Sequence, residues 1–252
     1  MAEASSHSYT ALEGEGFSEH TIRNSFVIKV LSLLTCMLLM TTTVVTVATV
    51  SSNTQDFLVD NWWISAIAMV ALVAVAITLA CSMQLRQSFP VNYALLTTLT
   101  MTQALLLAYI VSAYKTPSVL IAVSITCLGT GTVAILAMSS QLDLTRFGLH
   151  LIVALLALLG AELLLFSFMP SLRVQDRLIG GAAALIFSLY IAVDIQLLLG
   201  GRQFLLYPED YIGAVITLHL DVVNVFITLY KLIGEYKDKN RESVSKEEAR
   251  SG

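Results

Sequence analysis

The sequence predicts an all-α membrane protein, a bundle of seven hydrophobic helical segments. Of the 252 residues, 56% are hydrophobic and only 13% are charged, and the mean hydropathy is +0.78. A soluble domain is about 25% charged, so water alone does not accommodate this composition. Apolar stretches of the ~20 residues that a helix needs to cross a bilayer follow one another with no soluble-sized block between them.

The seven segments come in order with short connections between them. They cover residues 26–50, 62–84, 94–113, 119–140, 148–168, 178–199 and 211–233. Helices are predicted because a strand facing lipid would leave its backbone hydrogen-bonding groups unpaired. The connections contain helix-breaking and turn residues: Ser51, Ser52 and Asn53, Pro90 and Asn92, Pro117, Pro170, and Gly200, Gly201 and Pro208.

Polar tails flank this membrane domain, which extends over residues 26–233. Residues 1–25 form an acidic amino-terminal tail, unlike the basic start of a cleaved signal peptide, so the first segment is predicted to remain as a span. Residues 234–252 are polar and of mixed charge, and they predict a helix end that frays into disorder.

The last segment has two interpretations. The positive-inside rule places the basic carboxy-terminal tail in the cytoplasm. Seven full spans then put the amino terminus outside, whereas a re-entrant last segment puts both termini in the cytoplasm. The basic residues of the connections leave both topologies open.

Composition argues against several classes of site. The net charge of -4 supports no nucleic-acid partner. Cys36, Cys81 and Cys127 lie inside apolar runs without CxxC spacing, and we interpret them as small core residues. No resident cofactor is expected, and the partner that the composition itself predicts is the lipid bilayer.

Three acidic residues lie inside apolar segments: Glu162, Asp194 and Asp221. A carboxylate at the centre of a bilayer costs about 2.5 to 3.5 kcal/mol on insertion scales, so it usually faces a cavity or a partner. The alternative is that each acid is paired and only holds helices together. We place the functional site at the two aspartates.

The last segment also carries a polar stripe. Asp210, Thr217, Asp221, Asn224, Thr228 and Lys231 recur at spacings of three, four and seven residues. This spacing puts them on one helix face and predicts a wetted seam. His219 falls off the stripe, and we interpret it as a packing histidine with satisfied nitrogens rather than a proton relay.

Segment six begins with small residues, Gly180 to Ala184, which let a neighbouring helix approach closely. If segments six and seven are neighbours, Asp194 and Asp221 meet across their interface. Two adjacent carboxylates in a low dielectric do not both ionise cheaply, so the pair should share a proton. That arrangement is a pH-sensitive element.

The stretch YPEDYIGAVITLHLDVVNVF, residues 207–226, closely resembles the last-segment signature of the Bax-inhibitor/Lifeguard family. RQSFPVNY (86–93) and SQLDLT (140–145) are similar to two of its loop motifs, in the right order. The chain departs from the family in two respects. Val193 and Ile195 flank Asp194 where the family usually has Tyr and Thr, and the acidic residue that many members carry in segment two is absent.

The resemblance implies a calcium-permeable leak of the endoplasmic reticulum or Golgi, rather than the plasma membrane, gated by protons and linked to suppressed apoptosis. Asp194 and Asp221 match the family's dyad, with Ca2+ bound only in transit. Arg86 matches a closed-state latch, which we expect to neutralise the dyad's remaining charge unless it is a positive-inside anchor. Glu209 and Asp210 match the acidic entrance to the pathway.

The sequence also bears on three other functions. An intramembrane aspartyl protease would need Gly-x-Gly-Asp, but Ala192 and Val193 precede Asp194, so no enzyme is predicted. A non-conducting scaffold that binds membrane-bound apoptosis regulators is the main alternative. A proton-coupled calcium exchanger is a close variant of the leak.

Overall fold

The structure is a computed structural model that describes residues 2–112, 114–140, 142–168, 173–199 and 210–233; within these ranges the side chains of 2–24, 165–168 and 173–177 are not described. The helices are α1 (Ala2–Val50), α2 (Ser52–Asp60), α3 (Trp62–Cys81), α4 (Met83–Gln87), α5 (Val91–Ser112), α6 (Thr116–Ser139), α7 (Gly148–Phe168), α8 (Arg173–Leu198) and α9 (Tyr211–Ile233). A 3-10 turn, Leu144–Phe147, precedes α7.

Seven helices in the described part of the chain are long and apolar enough to cross a membrane: Ser25–Val50, Trp62–Cys81, Val91–Ser112, Thr116–Ser139, Leu144–Leu164, Leu178–Leu198 and Tyr211–Ile233. The predicted all-α bundle and its seven segments are therefore confirmed, with boundaries shifted by a few residues. The first span continues a single helix that begins at Ala2. The carboxy-terminal tail, 234–252, lies outside the described residues.

The helix ends follow from local chemistry. Ser51 begins α2 by accepting a hydrogen bond from the backbone N–H of Thr54, and Ser82 begins α4 in the same way with Leu85. A side-chain oxygen at this position satisfies one of the free N–H groups of the first turn. Pro117 lies in the first turn of α6, where its missing N–H has no cost.

α9 lies at the centre of the bundle. It packs against α8, α6 and α1, while α3 lies outside α5 and α7 lies outside α8. One group of buried residues, including Val30, Leu96, Ile195 and Val215, surrounds the first half of α9. A second group, including Val119, Phe226 and Tyr230, surrounds its last half.

The last segment crosses the whole bundle. The Tyr211 hydroxyl, at the start of α9, accepts a hydrogen bond from Asn92 at the start of α5. The Tyr230 hydroxyl, near the end of α9, donates to the carbonyl of Ile110 near the end of α5. α9 therefore runs the full length of another span, and its 23 residues, at about 1.5 Å each, suffice for a hydrocarbon core of about 30 Å. A re-entrant last segment does not agree with this structure.

Candidate functional site

The candidate site lies where α8 packs along α9. The helices approach closely at Gly180, because a Cβ added there would lie 3.4 Å from the backbone oxygen of Thr228. Ala183 and Ala184, in the next turn, are buried. Gly181 has no atom within 4 Å of an added Cβ, so of the two glycines only Gly180 is needed for the close approach.

Asp194 and Asp221 meet across this interface. Their carboxyl groups lie close enough to interact electrostatically. Asp221 is buried and Asp194 is half-buried. The Oδ2 atom of each is shielded from solvent and accepts no hydrogen bond from a donor in the described part of the chain. The structure thus brings together the two aspartates that the sequence singled out.

Among the described residues, no cation forms an ion pair with either aspartate. The ion pairs of this part of the molecule join Arg86 to Asp210, Arg146 to Asp143 and Lys231 to Glu162. Tyr190, one turn before Asp194, interacts electrostatically with both aspartates. Two carboxyl groups and a phenol therefore face one another in an interior where uncompensated charge is costly.

Arg86 lies elsewhere than expected. Its Nε is 3.0 Å from Oδ1 of Asp210, and its Nη1 donates to the carbonyl of Leu79. Asp210 precedes Asp221 by eleven residues, which is about 16 Å along a helix. The expectation that Arg86 neutralises the dyad directly is wrong, because its guanidinium is engaged at the start of α9.

Asp210 is the entrance residue that the structure describes. Its Oδ1 accepts a hydrogen bond from the backbone N–H of Gly213 and so caps α9. A Cβ at position 213 would lie 2.8 Å from that oxygen, so glycine provides the space for the cap. Glu209, the other predicted entrance residue, lies outside the described residues.

Three further residues complete the entrance: Asn92, Tyr211 and Lys29. Asn92 is buried and donates both to the Tyr211 hydroxyl and to the carbonyl of Arg86. The Nζ atom of Lys29 lies 3.5 Å from the centre of the Tyr211 ring, a cation–π contact. The sequence alone does not assign these residues to the site, although Asn92 and Tyr211 lie inside the motifs RQSFPVNY and YPEDYIGAVITLHLDVVNVF.

The polar stripe of α9 is only partly a seam. Thr228 is buried and Asn224 is half-buried, but Thr217 is exposed. The hydroxyls of Thr217 and Thr228 donate to carbonyls of their own helix. Thr217 faces outward at this level, and its place in the seam stays a prediction.

His219 is completely buried, and neither ring nitrogen has a hydrogen-bond partner among the described residues. The interpretation of a packing histidine agrees with its burial, but its nitrogens are not satisfied as expected. His219 precedes Asp221 by two residues, which turns it about 200° around the helix. It therefore points away from the dyad.

Gln196 connects the helix of Asp194 to the turn before α7. Its Nε2 donates to the carbonyls of Leu142 (2.8 Å) and Ala137 (3.4 Å), and its Oε1 accepts from the N–H of Leu144 at 2.7 Å. These bonds span 52 to 59 residues of sequence. The sequence does not distinguish Gln196, because a glutamine near a helix end is common and the partners of this one are backbone groups.

Asp143, in the motif SQLDLT, stabilises the same turn. Its carboxylate accepts hydrogen bonds from the hydroxyl and the backbone N–H of Thr145, and it lies 3.3 Å from Nε of Arg146. The Thr145 hydroxyl is the main reason that the pKa of Asp143 lies below its ordinary value, with Arg146 adding to the effect.

Glu162, the third acidic residue of the apolar segments, lies in α7. Glu162 is exposed, and its Oε1 lies 3.8 Å from Nζ of Lys231. It therefore joins α7 to α9 away from the dyad. No group of three or more His, Cys, Asp or Glu side chains within the described residues is arranged to hold a metal ion. The dyad offers two carboxyl groups.

Comparison with known proteins gives a consistent picture. Residues 23–238 match the family described as "Inhibitor of apoptosis-promoting Bax1". The chain is 28% identical over 226 residues to protein lifeguard 3 of Homo sapiens. This match covers 87% of this chain and 71% of that protein. It is 26% identical over 223 residues to protein lifeguard 3 of Mus musculus, with 86% and 71% covered.

A shorter match of 33% identity over 121 residues, 48% of this chain and 49% of the relative, is to an uncharacterized protein of Helicobacter pylori. The family description names inhibition of apoptosis and no catalysed reaction. Because the family match covers most of the chain and includes every span, this protein belongs to the Bax-inhibitor/Lifeguard family of anti-apoptotic membrane proteins.

Proposed function

We propose that the protein is a pH-sensitive calcium-permeable leak of an intracellular membrane, the endoplasmic reticulum or the Golgi. The observation that supports this function most directly is the contact between Asp194 and Asp221 inside the bundle. Each carboxyl group has a shielded oxygen without a donor among the described residues. A single proton shared between them supplies a donor and removes one of the two charges.

The same pair of aspartates determines how the gate responds to pH. With the proton present, the two side chains hold α8 against α9 and the pathway is closed. When the proton leaves, two negative charges repel each other across the interface. They also attract a divalent cation, and Ca2+ prefers carboxylate oxygens. Calcium flux should therefore rise as the pH rises.

The ion pair between Arg86 and Asp210 supports a second closing contact, at the entrance. It ties α4 to the start of α9, and both side chains are about one-fifth exposed, 19% and 20%. In this proposal the Arg86 latch restrains α9 from its end, while the dyad restrains it from its middle. Glu209 and Asp210 together attract the cation to the entrance.

Reconstitution tests the leak. The purified chain is placed in lipid vesicles that contain a calcium-sensitive dye, and the rate of calcium entry is measured from about pH 6 to about pH 8, where a shared proton would be exchanged. We expect the rate to increase with pH, and Asp194→Asn to remove that increase. Calcium entry that does not depend on pH in the unmodified protein would contradict the gate.

A scaffold that binds apoptosis regulators within the membrane is the second candidate. The family description supports it, because it names apoptosis-promoting Bax1 and no ion. The exposed apolar surface of α7, including Leu149, Leu156 and Leu163, provides a face for such a partner. A chain that conducts no calcium in pure lipid but still protects cells from death stimuli would favour the scaffold over the leak.

A further inference from the structure

A groove lies between α1 and α6, with α9 as its floor. Its volume is about 240 Å³, and the residues that line it include Thr41, Cys127, Gly131, Val222, Val223 and Phe226. The α9 residues of the floor follow Asp221 by one, two and five positions, which places them on the far side of α9 from Asp194. The groove is therefore separate from the dyad.

The groove opens on the outer surface of the bundle. Cys127 and Gly131, at its rim, are exposed, whereas Thr41 and Phe226, at its base, are buried. All four residues lie well inside candidate membrane spans. The medium around the rim is the acyl-chain region of the bilayer, so a molecule that enters this groove must first dissolve in lipid.

The base of the groove carries a hydroxyl group that has no hydrogen-bond partner in the described part of the chain. Thr41 is 6% exposed, and its Oγ1 makes no hydrogen bond to any described residue. Other threonines in these helices donate to a carbonyl of the preceding turn, as Thr49 does in α1 and Thr126 does across the groove. A buried hydroxyl in apolar surroundings is costly unless something bonds to it.

We propose that this groove binds a small neutral lipophile that carries one hydroxyl or carbonyl oxygen and reaches the site through the bilayer. The apolar walls accommodate its hydrocarbon body, and its oxygen bonds to the Thr41 hydroxyl. A cavity of about 150 Å³ holds a six-carbon ring, so the present volume accommodates about eight to ten carbon atoms by proportion. A charged ligand does not fit, because none of the described residues that line the groove is charged.

Photolabelling tests the site directly. The full chain in phosphatidylcholine nanodiscs is irradiated with a diazirine analogue of 1-octanol, and labelled residues are mapped by mass spectrometry. We expect saturable labelling of α1 and α6 residues that line the groove, suppressed by excess 1-octanol. Labelling of these residues that excess 1-octanol does not suppress would reflect bulk lipid and would overturn the proposal.

Two matched pairs of variants locate the ligand. Gly131 lines the groove and Gly129 does not, and neither has an atom within 4 Å of an added Cβ, so both accept a side chain. Gly131→Leu should abolish saturable labelling, and Gly129→Leu should preserve it. Thr41→Val should weaken binding about fivefold through the lost hydrogen bond.

The control for the hydroxyl is Thr43→Val, because Thr43 is exposed and donates to the carbonyl of Leu39 in its own helix. It should leave the affinity unchanged. Equal loss of labelling in Gly129→Leu and Gly131→Leu, or equal affinities of Thr41→Val and the unmodified protein, would contradict the site as described. All of these readouts are independent of calcium flux.

Discussion

α7 and α9 are two apolar helices of similar length, and each contains an acidic residue. Only 6% of the most apolar stretch of the Leu144–Leu164 span is buried inside the bundle. For the Tyr211–Ile233 span the buried share is 56%. Glu162 in α7 is exposed and pairs with a lysine, whereas Asp221 in α9 is buried against Asp194. The number of neighbouring helices therefore decides whether an acid within a span becomes part of a shared interior site.

The largest expected effect on calcium entry distinguishes Asp221 from Glu162. Asp221→Asn keeps the size of the side chain but leaves no second carboxyl group to share a proton with Asp194. We expect the pH response of calcium entry into vesicles to disappear, with a rate change on the order of tenfold at the alkaline end.

Glu162→Gln is the matched control on α7, and its calcium entry should keep the rate and pH response of the unmodified protein. If Glu162→Gln changed the flux as much as Asp221→Asn, the peripheral and central acids would be equivalent. The contrast between α7 and α9 would then carry no functional meaning.

A smaller effect on calcium entry is expected from the ion pair before α9. Arg86→Ala removes the partly shielded ion pair with Asp210 before α9. We expect resting calcium entry to rise on the order of fivefold, which corresponds to about 1 kcal/mol of lost closed-state stability. Asp210→Asn should raise the rate less than Arg86→Ala does, because it also removes a charge that attracts the cation to the entrance.

Arg146→Ala provides the comparison before α7. Its side chain is 65% exposed, and its partner Asp143 is bonded to Thr145 in the turn before α7. Resting calcium entry should stay at the level of the unmodified protein. A normal rate in Arg86→Ala would reassign that arginine to topology and leave the dyad as the closing contact.

Gln196 attaches the turn before α7 to α8. Replacing Gln196 should therefore lower the stability of the protein more than it changes calcium flux. Gln196→Leu leaves the carbonyl of Leu142 and the N–H of Leu144 without their partner, so we expect a loss of about 1 to 3 kcal/mol. Thermal unfolding in detergent measures it. Gln84→Leu, at an exposed glutamine of α4, should change the midpoint little; equal midpoints for the two variants would argue against the attachment.

The smallest effect concerns Asp143. Thr145→Val removes the hydroxyl that mainly lowers its pKa, so that pKa should rise towards its ordinary value. A depressed folded-state pKa contributes stability above the unfolded pKa, and this is lost as the pH falls through the folded pKa. The variant should therefore lose less stability on acidification. Carbon NMR titration of labelled Asp143 measures this change in pKa. The control is Thr132→Val, because the Thr132 hydroxyl donates to a carbonyl of its own helix. It should leave the pKa of Asp143 unchanged.

Much of the site could be predicted from the sequence because its residues violate an otherwise apolar pattern. Asp194 and Asp221 were visible as charges in lipid-spanning segments, and Gly180 as a small residue in a contact. The role of Gln196 and the lack of a hydrogen-bond partner for His219 among the described residues were not visible, because both depend on backbone groups and neighbours that are remote in sequence. Arg86 was visible, but its partner was misassigned because spacing along α9 does not say which turn a loop residue reaches.

By itself the sequence determined the spans, their order and their helical nature, because the cost of unpaired backbone groups in lipid leaves no other structure for such apolar runs. Only the tertiary structure decided which helix lies at the centre, which acids meet, and where the surface is left open between α1 and α6. The reason is that lipid and protein interiors are equally apolar. Hydropathy therefore reports entry into the membrane, while close packing and hydrogen bonding between helices select the neighbours.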